Sequence, residues 1–131
     1  MAVTAFYAAP LAFLFLVLSR NVIMARRSAQ VAVGDGGNDR LLRAMRVQAN
    51  CAEYMPVALV LLGLCESLSV PGPVLHLLGI ALLAGRLLHA YGVSREPENF
   101  RFRVSGIGLT LMMIGASAAL AFAAAIVQWF A

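Results

Sequence analysis

The sequence predicts an all-α membrane protein whose four transmembrane helices form a bundle. Of the 131 residues, 62% are hydrophobic and 12% are charged, whereas a soluble domain is about half apolar and a quarter charged. The apolar residues fall into four long stretches that lack the alternation of a barrel strand. Only helices and closed barrels satisfy the backbone in lipid, and a bilayer core needs about 20 helical residues. The helices are predicted within one transmembrane domain, residues 1–131, at roughly residues 4–26, 40–67, 72–93 and 100–130.

The first stretch, residues 1–19, contains no charged side chain. No positive charge precedes it, and Arg20, Arg26 and Arg27 follow it, which is the reverse of the order in a cleaved signal peptide. It is therefore expected to stay in the protein as the first membrane-spanning helix.

The second and third stretches each carry charge within an apolar run. Residues 47–65 contain one charged side chain, Glu53, and residues 70–91 contain Arg86 and two histidines. Asp39 is positioned to cap the start of the second helix. The prolines of the VPGP segment predict a tight turn that ends the second helix and opens the third.

The fourth stretch, residues 104–131, has no charged side chain over 28 residues. It is rich in small residues, which let another helix approach closely, either within the chain or from a second chain. These residues are Gly106, Gly108, Gly115, Ala116, Ser117 and Ala118.

The charges of the connections predict how the protein is oriented. Six of the ten arginines lie at or between the first two helices, three lie between the last two, and there is no lysine. By the positive-inside rule these connections face the cytoplasm, and both termini lie on the other side. Arginine without lysine is typical of a GC-rich bacterial genome, which favours a bacterial inner membrane. Because no soluble basic module is present, nucleic-acid binding is not expected.

The start of the second helix, RAMRVQANCAEYMP, carries a polar face within an apolar segment. Four polar residues are spaced by 3, 4 and 3 positions and therefore share one side of a helix. They are Arg43, Arg46, Asn50 and Glu53. A helix in contact with lipid alone would not be expected to carry a polar face.

Glu53 and Arg86 are predicted to lie at a similar depth, about 12–14 Å from the cytoplasmic ends of their helices. A lone charge at that depth costs at least about 2.5–3.5 kcal/mol, so we expect an ion pair between these two residues. Such a pair either fixes helix packing alone or belongs to a binding site.

Further basic side chains are predicted near this pair, and one glutamate cannot balance them. His89 lies one turn after Arg86, and Arg101 and Arg103 lie where the fourth helix begins. The surplus of guanidinium groups favours an anionic ligand, since arginine binds carboxylates in bidentate fashion. A carboxylate on the same face suits an ammonium group. We therefore expect a zwitterionic ligand of net negative charge that enters from the cytoplasm.

The segments RAMRVQANCAEYMP and GRLLHAYG together resemble the MAPEG family, membrane-associated proteins in eicosanoid and glutathione metabolism. The similarity is to the short bacterial members and extends over nearly the whole chain. It implies a four-helix protomer that assembles as a homotrimer in the lipid bilayer. It also implies that glutathione binds between subunits, in a cavity open to the cytoplasm.

The resemblance implies which residues hold glutathione. Those on the second helix are Arg43, Arg46, Asn50 and Glu53. Arg86 and His89 match the GR–x2–H pattern of the third helix, which completes the family's site. Eicosanoid-type members also carry a tyrosine near the end of this helix, and the candidate here is Tyr91, which is out of register.

The resemblance also implies chemistry at the start of the fourth helix. The arginine that stabilises the thiolate in the family matches Arg103 or the neighbouring Arg101, with Ser105 close to both. A free thiol has a pKa of about 8.5, and a neighbouring guanidinium lowers it by favouring the nucleophilic anion. The implied function is a membrane-bound, glutathione-dependent transferase or peroxidase that conjugates or reduces lipophilic electrophiles. Glutathione is the thiol co-substrate, and no metal is expected.

Two other functions fit the same residues. A non-catalytic membrane protein would bind a lipid or a thiol ligand in the same cavity and show no turnover with electrophiles. A small proton-coupled multidrug transporter would use Glu53, since such proteins also have four short helices and one membrane-embedded glutamate. The arginines near Glu53 oppose the binding of a cation. Uptake of a lipophilic cation that responds to a pH gradient, and that is lost in Glu53→Gln, would favour the transporter.

Overall fold

The computed structural model describes residues 1–130, which fold into four α-helices. The helices are α1 (Ala2–Ala29), α2 (Asp39–Ser67), α3 (Gly72–Ser94) and α4 (Phe100–Phe130). All four are long and apolar enough to cross a membrane. The prediction of an all-α protein with four helices fit to span a bilayer is therefore confirmed.

The connection between α1 and α2 is shaped by residues that favour helix ends. Gln30 adopts a left-handed conformation with φ of 54° and ends α1. At the start of α2, the side-chain oxygen of Asn38 accepts a hydrogen bond from the backbone nitrogen of Leu41 at 2.9 Å. Asn38 is therefore the cap, and the expectation that Asp39 plays this role was wrong. The cap must lie in extended backbone, and Asn38 does, whereas Asp39 is already helical.

Glycines allow α3 and α4 to pack closely at the end that carries the α3–α4 connection. A Cβ atom added to Gly85 would lie 2.7 Å from the hydroxyl oxygen of Thr110. One added to Gly92 would lie 2.5 Å from the backbone nitrogen of Arg103. Gly106 is buried against the backbone of α3 in the same way. This close packing holds the first turns of α4 beside the second half of α3.

The small residues of α4 divide between two faces. Gly106 and Ser117 are buried inside the bundle. Gly108 and Gly115 face outward, and a Cβ atom added to either would meet nothing within 4 Å among residues 1–130. Packing within the chain therefore uses one set, and the other set remains open to lipid or to a second chain.

Two apolar clusters form the core. The larger one runs through the bundle and includes Tyr7, Leu62 and Met113. The smaller one lies nearer the α1–α2 connection and includes Leu18 and Val47. Large apolar side chains elsewhere are exposed on the outer surface, as expected where lipid is the solvent.

Glu66, near the end of α2, forms hydrogen bonds to the start of α1 at the end of the bundle that carries the N-terminus. Its carboxylate accepts hydrogen bonds from the backbone nitrogens of Val3 and Thr4 at 3.0 and 2.8 Å, and from the Thr4 hydroxyl at 2.6 Å. The first N–H groups of a helix have no partner within the helix. Glu66 supplies that partner for α1, a role that its position near the end of α2 did not predict.

Candidate functional site

A cleft of about 470 Å³ opens between the first half of α2, the end of α3 and the start of α4. We call it the α2–α4 cleft. Six residues that the sequence analysis proposed as site residues line it. They are Arg43, Arg46, Asn50, Glu53, His89 and Arg103. The polar face of α2 therefore forms one wall of a cavity, and residues of α3 and α4 form the other.

Arg86 lies behind this cleft, with only 2% of its surface exposed. Its Nη1 donates a hydrogen bond to Oδ1 of Asn50 at 2.8 Å, and its Nε donates one to the hydroxyl of Thr110 at 3.0 Å. The guanidinium carbon lies 5.6 Å from the ring centre of Tyr54. Arg86 thus joins α2, α3 and α4, and it holds Asn50 in a fixed orientation at the cleft.

The prediction of an ion pair between Glu53 and Arg86 is wrong. Glu53 is exposed on the cleft wall, and it takes part in none of the ion pairs found within 4 Å in residues 1–130. Asn50 occupies the side of α2 that faces Arg86, so an amide oxygen replaces the carboxylate as acceptor. One nitrogen of Arg86, Nη2, is buried and has no hydrogen-bond partner in the described part of the chain, residues 1–130. The positive charge of Arg86 is therefore not neutralised by a carboxylate in direct contact.

Two glutamates of the α3–α4 connection reach the cleft, which sequence reasoning missed. Glu98 forms an ion pair with Arg103 at 2.7 Å and approaches Arg43 at 3.9 Å. Glu96 approaches Arg43 at 3.8 Å. The only signal in the sequence was the presence of both glutamates in the segment SREPENFRFR, beside the arginines that begin α4.

These glutamates correct the expected charge balance. The carboxylates that line the cleft are those of Asp39, Glu53, Glu96 and Glu98. The guanidinium groups at or behind its walls are those of Arg43, Arg46, Arg86 and Arg103. The two sets are equal in formal charge, so the expected surplus of positive charge is absent from the cleft. The arrangement suits a ligand that carries both signs of charge.

Three of the proposed residues lie outside the cleft of the single chain. Tyr91 is half-exposed, and its hydroxyl accepts a hydrogen bond from Arg95 at 2.6 Å. Arg101 is exposed and does not line the cleft. The hydroxyl of Ser105 donates to the backbone oxygen of Arg101 in its own helix at 2.8 Å. Of the two candidate arginines, only Arg103 shares a cavity with the polar face of α2.

His89 connects the two helices that carry Arg86 and Arg103. Its ring is buried, and Nδ1 lies 3.3 Å from the backbone oxygen of Arg103. The contact ties the start of α4 to α3 at the depth of the cleft. His89 therefore helps to position Arg103 while also lining the cavity.

Three charged residues of the cleft are free to bind a ligand. Asp39, Arg46 and Glu53 are exposed, and none of them forms a side-chain hydrogen bond or an ion pair within residues 1–130. In contrast, Arg43 donates to the backbone oxygen of Val93 at 3.1 Å in addition to its ion pairs. The unpaired groups thus lie on α2, and the paired ones lie toward the α3–α4 connection.

Comparison with known proteins identifies the family. The model of the MAPEG family matches residues 4–126. The inner membrane protein YecN of Escherichia coli K12 is 41% identical over 108 residues, which cover 82% of this chain and 81% of the relative. The inner membrane protein YecN of E. coli O6:H1 has the same identity and coverage. The resemblance stated from the two sequence segments is confirmed, and this chain belongs to the MAPEG family.

Proposed function

We propose that this protein is a membrane-bound, glutathione-dependent transferase or peroxidase that acts on lipophilic electrophiles. The observation that carries the proposal is the α2–α4 cleft, where Arg46 and Glu53 are exposed and unpaired in the same cavity as Arg103. Charged side chains within membrane helices are costly and almost always serve a function or a partner. A helix bundle that is stabilised only by apolar packing would not require these charged side chains.

The spacing of Arg46 and Glu53 suits the two ends of a short zwitterionic peptide. They are seven positions apart on one face of α2, which corresponds to about 10 Å along the helix axis. Three extended peptide residues span about the same distance. A ligand carboxylate would bind Arg46 in bidentate fashion, and a ligand ammonium would bind Glu53. Glutathione, a tripeptide with both groups, fits this requirement.

Arg103 is the group in the cleft that is best suited to activate the thiol. A guanidinium beside a thiol favours loss of its proton to water and stabilises the thiolate. The thiolate lone pair then forms a bond to an electrophilic carbon, and the leaving group departs with its bonding electrons. Because Glu98 pairs with Arg103 at 2.7 Å in the free protein, thiolate binding would exchange one anion for another at this guanidinium.

We also propose that the protein assembles as a homotrimer with the cleft at the subunit boundary. Arg46 and Glu53 are exposed in the single chain, and a charge that faces lipid at this depth costs at least about 2.5–3.5 kcal/mol. A second copy would cover them. The outward-facing Gly108 and Gly115 offer a surface that another helix can approach closely. Membership of the family supports the same assembly.

A bacterial inner membrane is the proposed location. The E. coli relatives are named as inner membrane proteins. The arginines concentrate in the α1–α2 and α3–α4 connections, so the positive-inside rule puts these connections in the cytoplasm and both termini on the other side. Glutathione would then enter the cleft from the cytoplasm, and the electrophile would enter from the bilayer.

Equilibrium binding of glutathione to the detergent-purified protein tests this proposal. Arg46→Ala and Glu53→Ala are each expected to weaken binding by about tenfold or more, because each removes a charged partner of the ligand. Arg27→Ala is the matched control, since Arg27 is exposed on α1 and lies outside the cleft. Size-exclusion chromatography shows whether each variant keeps the wild-type oligomer. Normal binding by both cleft variants would overturn the assignment of the site.

A non-catalytic glutathione- or lipid-binding protein is the second candidate. It is favoured by two contacts that occupy the proposed catalytic groups: Glu98 pairs with Arg103, and Ser105 bonds to its own helix. Such a protein would bind glutathione in the cleft and would not accelerate its reaction with a panel of aryl halides, enals and hydroperoxides. Turnover of any of these that is lost in Arg103→Gln would exclude this candidate.

A further inference from the structure

A second cleft of about 470 Å³ lies on the other side of Arg43, between α1 and the start of α2. We call it the α1–α2 groove. It shares Arg43 and Glu96 with the α2–α4 cleft, so this ion pair forms the partition between the two cavities. Its other charged residues are Arg20 of α1 and Arg40 of α2.

The arginines that are unique to the groove have no protein partner. Arg20 and Arg40 are exposed, and neither forms an ion pair or a side-chain hydrogen bond within residues 1–130. The remaining pair, Arg43 and Glu96, is balanced. The groove therefore has a formal charge of +2, from Arg20 and Arg40, whereas the α2–α4 cleft has no surplus of positive charge.

Apart from Asn21 and Ser94, the rest of the lining is apolar. Leu18 and Val47 are buried residues that line the groove. Leu18 precedes Arg20 in α1 and Val47 follows Arg40 in α2, so both lie deeper in the bundle than these arginines. Arg20 directly follows the uncharged segment 1–19, so the basic rim lies where α1 leaves the hydrocarbon. A lining that is basic at the membrane surface and apolar below it matches the structure of a lipid, with its phosphate above its acyl chains.

We propose that the α1–α2 groove binds an anionic phospholipid, with the phosphate between Arg20 and Arg40 and an acyl chain along the apolar lining. Both a lipid headgroup and a free phosphate ester share this anionic chemistry. The apolar part of the lining favours the lipid, because a water-soluble phosphate ester has no acyl chain to pack against Leu18 and Val47. Arginines can also extend toward lipid headgroups without forming a binding site. Such arginines would not need to converge from two helices on one concave groove, as Arg20 and Arg40 do. This inference does not depend on the proposed function.

Native mass spectrometry of the detergent-purified protein tests the proposal. The protein is mixed with equal amounts of phosphatidylglycerol and phosphatidylcholine that have identical acyl chains. Wild-type protein is expected to retain the anionic lipid in about tenfold excess or more, given the attraction of two arginines to an anionic headgroup. Arg20→Gln combined with Arg40→Gln is expected to abolish this preference. The matched control, Arg27→Gln with Arg95→Gln, loses the same charge outside both cavities and is expected to keep it.

Three outcomes would overturn the proposal. The first is equal retention of both lipids by the wild-type protein, a result that needs no variant and decides the question even if the double variant does not fold. The second is an undiminished preference in the Arg20 and Arg40 variant. The third is full displacement of phosphatidylglycerol by glycerol phosphate at an equal concentration, which would assign the groove to a soluble phosphate ester instead.

Discussion

Arg86 and Asn50 form a buried hydrogen bond that links the interior of the bundle to the α2–α4 cleft. The Nη1 atom of Arg86 donates to Oδ1 of Asn50 at 2.8 Å, and the same guanidinium also donates to Thr110. The bond satisfies a charged donor that is almost completely removed from solvent. It also fixes the Asn50 side chain at the cleft, so one contact serves both the stability of the bundle and the shape of the site.

This contact predicts how two substitutions of Asn50 differ. Asn50→Ala removes the short hydrogen bond and leaves Nη1 of Arg86 only its 3.5 Å contact with the backbone oxygen of residue 50, so it is expected to lower the free energy of unfolding by about 1–3 kcal/mol. Asn50→Asp keeps an acceptor at the same position and is expected to unfold near the wild-type temperature. A thiol-reactive fluorescent dye can follow thermal unfolding, because the free cysteines, Cys51 and Cys65, are buried. Equal unfolding temperatures for the two variants would show that the bond does not stabilise the bundle.

The ion pair of Glu98 with Arg103 predicts that Glu98 weakens ligand binding, because it occupies the guanidinium group of Arg103 in the free protein. If glutathione binds beside Arg103, Glu98→Gln removes a competing anion and is expected to tighten binding by up to about fivefold, since partly exposed ion pairs are worth at most about 1 kcal/mol. Glu96→Gln is the comparison variant and is expected to change binding less, because Glu96 is 70% exposed and its contact with Arg43 is longer, at 3.8 Å. Titration calorimetry with glutathione measures both dissociation constants. Weaker binding in Glu98→Gln would mean that Glu98 helps to hold the ligand.

The features that could be predicted from the sequence are those that depend on local periodicity. Four apolar stretches of sufficient length specify four helices, whatever their mutual arrangement. The 3, 4 and 3 spacing that begins at Arg43 specifies one face of α2, and the structure brings that face to a single cleft. The arginine of the GR–x2–H pattern is likewise found at the depth of Asn50, because α3 runs back along α2.

The partners of the charged groups could not be predicted, because they depend on how each helix is rotated. Arg86 bonds to Asn50 and to Thr110, which is 24 positions away on another helix, and not to Glu53. Glu96 and Glu98 belong to an irregular connection, and no periodicity predicts where such a segment folds. Their approach to the arginines changes the charge balance of the cleft, which composition alone could not indicate.

The different positions of Arg103 and Arg101 predict different effects on thiol chemistry. Arg103→Gln is expected to move the pH–rate profile of glutathione conjugation toward the ordinary thiol pKa of about 8.5. A shift of one pH unit would lower the rate at pH 7 by about tenfold. Arg101→Gln is expected to leave the profile unchanged, because Arg101 does not line the cleft of its own chain. A shift in Arg101→Gln alone would mean that Arg101 reaches a site on a neighbouring subunit.

The two faces of α4 predict opposite tolerances for an added methyl group. A Cβ atom on Gly106 would meet the backbone of α3, where neither helix can yield without separating from the other. Gly106→Ala is therefore expected to lower the free energy of unfolding by about 1–3 kcal/mol and to weaken glutathione binding, because α4 carries Arg103. Gly108→Ala adds the same methyl group two residues away, where nothing within residues 1–130 of the same chain lies within 4 Å. Its effect through contacts inside the chain is therefore expected to be below about 0.5 kcal/mol, and a larger effect would report packing against a second copy. The dye-based unfolding assay compares them directly. Equal destabilisation by both would indicate that Gly108 also packs against a helix, which in this arrangement could only come from a second copy of the chain.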